Sequence, residues 1–87
     1  MSKTVILERE GVMEQIRRAI DESEIPEEER VLLCSQRLGG WITHALGVRG
    51  PAGLVRELGA QLLPLVYLED RKIIVTDRET ARILTGT

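Results

Sequence analysis

The chain has 87 residues, 43% hydrophobic and 30% charged, with a formal net charge of −2 at pH 7. That length allows one domain, residues 1–87, with a modest core, and that composition excludes a disordered chain. The acidic balance argues against indiscriminate attraction to phosphate backbones but leaves room for a local basic patch. Residues 1–43 carry six basic and nine acidic side chains and residues 44–87 six basic and five acidic, so such a patch belongs in the second half.

With no Phe, one Trp and one Tyr, the core must be built from Leu, Ile, Val and Ala. A small aliphatic core favours burial of further surface by self-association. The single Cys34 rules out an internal disulfide, and His44 is the only other soft ligand, so no zinc spacing exists. Met1-Ser2-Lys3 runs straight into a β-like stretch without an apolar signal core, and no apolar run approaches membrane-spanning length. The expected location is the cytoplasm.

In chain order, Thr4-Val5-Ile6-Leu7 is a β-branched run suited to a strand. Val12, Met13, Ile16, Ala19 and Ile20 then share one face of a helix whose other side carries Glu14, Arg17, Arg18 and Asp21. Pro26 fits the first position of a second helix, with Glu27, Glu28 and Glu29 in its first turn, where the macrodipole favours carboxylates. Consecutive helix positions point in different directions, so these acids do not converge on a metal.

Val31, Cys34, Leu38, Trp41 and Ala45 continue that helix in steps of three and four, widened by Leu32, Ser35, Ile42 and Leu46. Gly39-Gly40 interrupts it. Each interior Gly costs about 1 kcal/mol relative to Ala, which predicts either a kink here, the favoured outcome, or close packing of another backbone. Gly47 is placed as a left-handed cap followed by apolar Val48. Pro51 restarts a helix with Leu54, Val55, Leu58 and Leu62 on one face, ended by Pro64.

Leu65-Val66-Tyr67-Leu68 and Lys72-Ile73-Ile74-Val75 read as two strands of a C-terminal hairpin joined by Glu69-Asp70-Arg71. Thr76 and Glu79 have capping-box spacing for a last short helix with Ala81 and Leu84 inward, stopped by Gly86. The expected fold class is α+β: a mostly helical small single domain with a C-terminal β-hairpin, which the N-terminal strand can join.

Enzyme motifs are absent. Gly47, Gly50 and Gly53 precede no GK[ST], and no serine has a local base. Cys34 and His44 are the only conceivable nucleophile and base, and on one helix they would lie about 15 Å apart along its axis. Cys34 reads better as a small buried side chain, and His44 as a helix-end residue. No catalytic residue, metal ligand, cofactor or small-molecule substrate is expected.

The segment Ile42 to Leu58 resembles the helix-turn-helix of DNA-binding proteins. Ile42, Leu46 and Val48 stand where that motif has apolar residues, and Gly47 is its turn glycine. Gly53 departs from it, occupying a position that normally packs an apolar side chain. The resemblance implies a winged-helix-like DNA-binding transcriptional regulator, with residues 42–58 as helix-turn-helix and 65–76 as wing. Arg49, Arg56, Arg71 and Lys72 would then contact DNA. Against it, Glu57 and Glu69-Asp70 interleave with the bases.

The favoured reading is a small non-enzymatic regulatory module that binds a protein partner or itself, as a homodimer. Trp41, Leu62 and Leu65 are its expected interface residues, although Trp41 also lies in the apolar stripe and fits a core position.

Overall fold

The computed structural model describes residues 2–86. Four strands and four α-helices alternate as β1 (Lys3–Ile6), α1 (Val12–Glu22), β2 (Val31–Cys34), α2 (Gln36–Leu46), α3 (Gly50–Leu58), β3 (Gln61–Pro64), β4 (Lys72–Thr76) and α4 (Arg78–Thr85). The strands form one mixed sheet in the order β1-β4-β2-β3. β4 runs antiparallel to both β1 and β2, whereas β3 runs parallel to β2. This is an α+β domain, and the arrangement of its strands differs from a C-terminal hairpin.

Period-two alternation assigns the two faces of the sheet. Leu32, Cys34, Ile73 and Val75 point to one side, where they join Ile16, Ala19 and Ile20 of α1, Ile42 of α2, and Leu54 and Leu58 of α3. Val31 and Leu33 point to the other side and meet Ala81 of α4 and Leu65, with Leu63, Ile74 and Leu84 packed around them. Both faces of β2 are therefore covered, and all four of its residues are buried.

That double burial hides the strand from sequence periodicity. Val31–Cys34 is a strand, not part of a helix beginning at Pro26. A strand covered on both faces reads as a continuous apolar run, indistinguishable by periodicity from a buried helical segment. Glu27–Glu29 form one 3₁₀ turn, closed by Glu29 N–H donating to the Pro26 carbonyl at 2.8 Å. The helix starts instead at Ser35, whose Oγ accepts from Leu38 N–H at 3.0 Å.

No break occurs at Gly39-Gly40, which lie inside α2. A Cβ on Gly39 would stand 3.3 Å from Cys34 Sγ and 3.6 Å from the Leu62 side chain. Close packing of the helix onto β2 and β3 is the reason for that glycine, rather than a kink. Gly47 is left-handed at φ 65°, as the cap requires, and its N–H donates to the His44 carbonyl at 3.1 Å.

Pro51 occupies the first turn of α3. Gly59, at φ 68°, ends that helix, with its N–H donating to the Val55 carbonyl at 2.8 Å. Pro64 does not end it. Leu62 consequently belongs to β3, opposite Leu32 of β2, and not to the helical stripe of Leu54 and Leu58.

Residues 65–68 are a turn, not a strand. Leu65 N–H donates to the Cys34 carbonyl at 2.8 Å, and Leu68 N–H to the Leu65 carbonyl at 3.1 Å. The backbone needs of the segment are thus met by β2 and by its own turn. β4 then inserts between β1 and β2, and no hairpin extends from the body as a wing.

The cap of α4 is also one residue later than its capping-box spacing indicates. Thr76 is the last residue of β4 and fully buried. Asp77 caps, its carboxylate accepting from Thr80 N–H at 3.2 Å. Hydrogen bonding by Thr80, its side chain foremost and then its backbone N–H, holds the Asp77 carboxyl below its ordinary value.

Candidate interaction surface

The three expected interface residues separate in space. Leu65 is 2% exposed, packed with Val31, Leu33 and Ala81 against the sheet; an interface role for it is overturned, because it is core. Leu62 is half-buried against the α1–α3 side, beside Gly39. Trp41 is 48% exposed, so the core position suggested by its periodicity is also corrected. Leu38 and Ile42 of the expected stripe do face the core, but Trp41, next to Ile42 on α2, turns outward.

Trp41 instead walls a groove of about 290 Å³ between α2, the start of α1 and the end of β1. Leu7, Val12 and Leu38 supply its apolar lining, and Glu8, Arg9, Asp70 and Arg71 its charged residues. Local structure puts them there. Leu7 N–H extends the β1–β4 ladder by donating to the Arg71 carbonyl, which holds residues 7–9 next to residues 70–71. Gln15 secures the following turn, accepting from Glu8 N–H at 2.8 Å and donating to the Glu10 carbonyl at 2.6 Å.

Charges around the groove are unevenly matched. Asp70 faces Arg37 at 3.9 Å. Among the described residues, neither Arg9 nor Arg71 lies within ion-pair distance of a carboxylate, and Glu8 lies within that distance of no cation, so two free cations stand against one free acid. Two guanidinium groups without acidic partners therefore accompany an exposed indole and an aliphatic lining. Sequence reasoning singled out Trp41 and Arg71 but missed Leu7, Arg9 and Val12, which only the β1–β4 register and the turn into α1 bring alongside.

The four cations of the DNA-binding alternative do not converge. Arg71 stands at the end of the sheet where β2 finishes. Pro51, Ala52 and Val55 of α3 line a hollow of about 380 Å³ with Glu27, Glu28 and Arg30, where β2 begins. Arg49 and Arg56 bracket that stretch of α3, whereas Lys72 pairs with Glu69 at 3.4 Å beside Arg71. The helix–turn–helix connection exists, and Gly53 has a packing reason within it: a Cβ there would meet Val48 at 3.2 Å.

Cys34 is fully buried, and desolvation pushes its thiol up to about 11. It is a protonated side chain at neutral pH, whereas nucleophilic attack needs the thiolate. His44 is exposed on α2, five residues beyond the Gly39 that covers Cys34, a rise of about 7.5 Å. Among the described residues, no three His, Cys, Asp or Glu side chains group as metal ligands, and no helix is long and apolar enough to cross a membrane.

These features define a small α+β domain with a mixed four-stranded sheet and a partly apolar groove at one end of it. Compared with family models, with curated proteins and with solved structures, the chain finds no match.

Proposed function

We propose that this chain is a non-enzymatic interaction module that docks an apolar, acidic segment of a partner protein in the Trp41 groove. The observation that carries the reading is the pairing of a half-exposed indole with two unpaired guanidinium groups, Arg9 and Arg71, around Leu7, Val12 and Leu38. Trp and Arg are the side chains that most often dominate binding energy at protein interfaces. The lining offers an apolar anchor a place to leave water, and the cations favour a carboxylate beside it.

Trp41 is the only tryptophan, so docking is readable directly in its fluorescence. Selection from a random peptide library displayed on phage is expected to enrich sequences that join a bulky apolar residue to Asp or Glu. The corresponding synthetic peptides should shift Trp41 emission to the blue. Arg71→Glu should weaken them at least tenfold, and Trp41→Ala should do the same by anisotropy of labelled peptide. Selected peptides that bind wild type, Arg71→Glu and Trp41→Ala equally would overturn the reading.

A further inference from the structure

We infer that the open edge of β1 pairs with β1 of a second copy, antiparallel about a two-fold axis at Val5. This rests on the sheet register and stands apart from the groove. In an antiparallel ladder, residues alternate between those that exchange hydrogen bonds with the neighbouring strand and those whose N–H and C=O point the other way. Leu7 N–H donates to Arg71, so the same ladder makes Val5–Ile73 and Lys3–Val75 the bonded pairs. The N–H and C=O groups of Thr4 and Ile6 therefore face outward, beyond the last strand of the sheet.

Those outward groups are complementary to themselves. Bonded pairing across the edge must join outward residues to outward residues. The two-fold register that matches both within the strand sets Thr4 opposite Ile6 of the other copy, and Val5 opposite its own equivalent. An isologous contact of this kind closes a dimer and stops there. Two four-stranded sheets would become one continuous sheet of eight strands.

Charge does not oppose this contact. Lys3 is the only charged residue of β1, and it is paired with Glu22 of α1. Lysine on an outer strand ordinarily deters a second strand, but here its charge is already matched. Thr4 and Ile6 share the outer face of the sheet with Ile74, and Ile6 remains 65% exposed. Setting Ile6 opposite Thr4 of the other copy brings a β-branched pair together on that face, a favourable cross-strand combination.

The opposite edge lacks this property. In β3 the groups bonded to β2 belong to the odd-numbered residues, as Gln61 N–H to Arg30 and Leu65 N–H to Cys34 show. Leu62 and Pro64 then face outward, and Pro64 has no N–H to offer. Only β1 presents a full outward set.

Sedimentation equilibrium over about a hundredfold range of protein concentration should give a dimer for the wild type. Thr4→Pro removes an outward N–H without touching the β1–β4 ladder and should weaken association at least tenfold with an unchanged circular dichroism spectrum. Ile6→Lys should do the same by placing an unpaired charge on the edge, and it covers the case of a proline variant that does not fold. Val5→Cys tests the register. Its thiol would face its own equivalent in a non-bonded pair, about 4.5 Å between Cα atoms, within disulfide reach. Mild oxidation should therefore yield a covalent dimer, with buried Cys34 unreactive. A wild type that stays monomeric overturns the proposal, as does a dimer indifferent to both edge variants or a Val5→Cys dimer that does not cross-link.

Discussion

β1 and β3 are both four-residue outer strands of one sheet, yet they end it differently. Leu62 and Pro64 of β3 face outward, and the proline withholds the donor that a further strand would need. β1 contains no proline, has its single charge matched by Glu22, and directs both groups of Thr4 and Ile6 away from the domain. An edge is thus defined less by its exposure than by which backbone groups the register leaves over.

The contrast depends on a common scaffold, β4 against β2, and the largest expected effect lies there. Ile73 is fully buried in the strand that separates the two edges. Ile73→Ala should cost about 2–5 kcal/mol through lost burial and a residual cavity. Urea unfolding should show one lowered transition by fluorescence and circular dichroism; two separated transitions would mean that the edges are not held by one cooperative unit.

Two neighbouring glycines sharpen the β3 side. Gly40 has nothing within 4 Å of where a Cβ would stand, so Gly40→Ala should stabilise the chain by about 1 kcal/mol through helix propensity alone. Gly39→Ala should forfeit much of that gain, because its methyl meets Cys34 and Leu62 at 3.3 and 3.6 Å. Equal midpoints for the two variants would refute close packing of α2 on β2 and β3.

Asp77 caps the helix that covers β2 on the outer face, and its effect depends on pH. Its carboxyl titrates below the ordinary value because the ionised form accepts from Thr80. A depressed folded value stabilises above the unfolded pKa and is lost as pH falls through the folded one. Asp77→Ala should therefore lower the Tm at neutral pH, and the gap from wild type should shrink on acidification below pH 4. A gap independent of pH would show that the charge of the cap is irrelevant.

The smallest effect on stability belongs to Pro64. Pro64→Ala returns an outward N–H to β3 and should change unfolding free energy by no more than about 0.5 kcal/mol. Its expected consequence is association through a second edge, visible as species larger than a dimer in light scattering. No change in mass would mean that the proline is not what closes that edge.

Much of the fold is legible locally. α1, the Gly47 cap, the Pro51 start of α3 and the Gly86 stop each rest on interactions within a few residues, and β4 shows as a β-branched run although its pairing partners are distant. The candidate surfaces are less legible. Trp41 was visible as an anchor, but its neighbours Leu7 and Arg9 come from a segment thirty residues away, and the outward direction of Thr4 and Ile6 depends on pairing with β4. Composition carries no signal for either.

The sequence by itself determined the α+β class, the Gly47 and Gly86 helix stops and the aliphatic character of the core, because these follow from composition, short-range periodicity and glycine. Only the tertiary structure decided that Val31–Cys34 is a central strand, that Leu65 is core, and that residues 65–68 turn rather than pair. A residue buried from both sides has the same composition in a helix as in a strand. What distinguishes them is the partner supplying the hydrogen bonds, and for β2 those partners, β3 and β4, lie far along the chain.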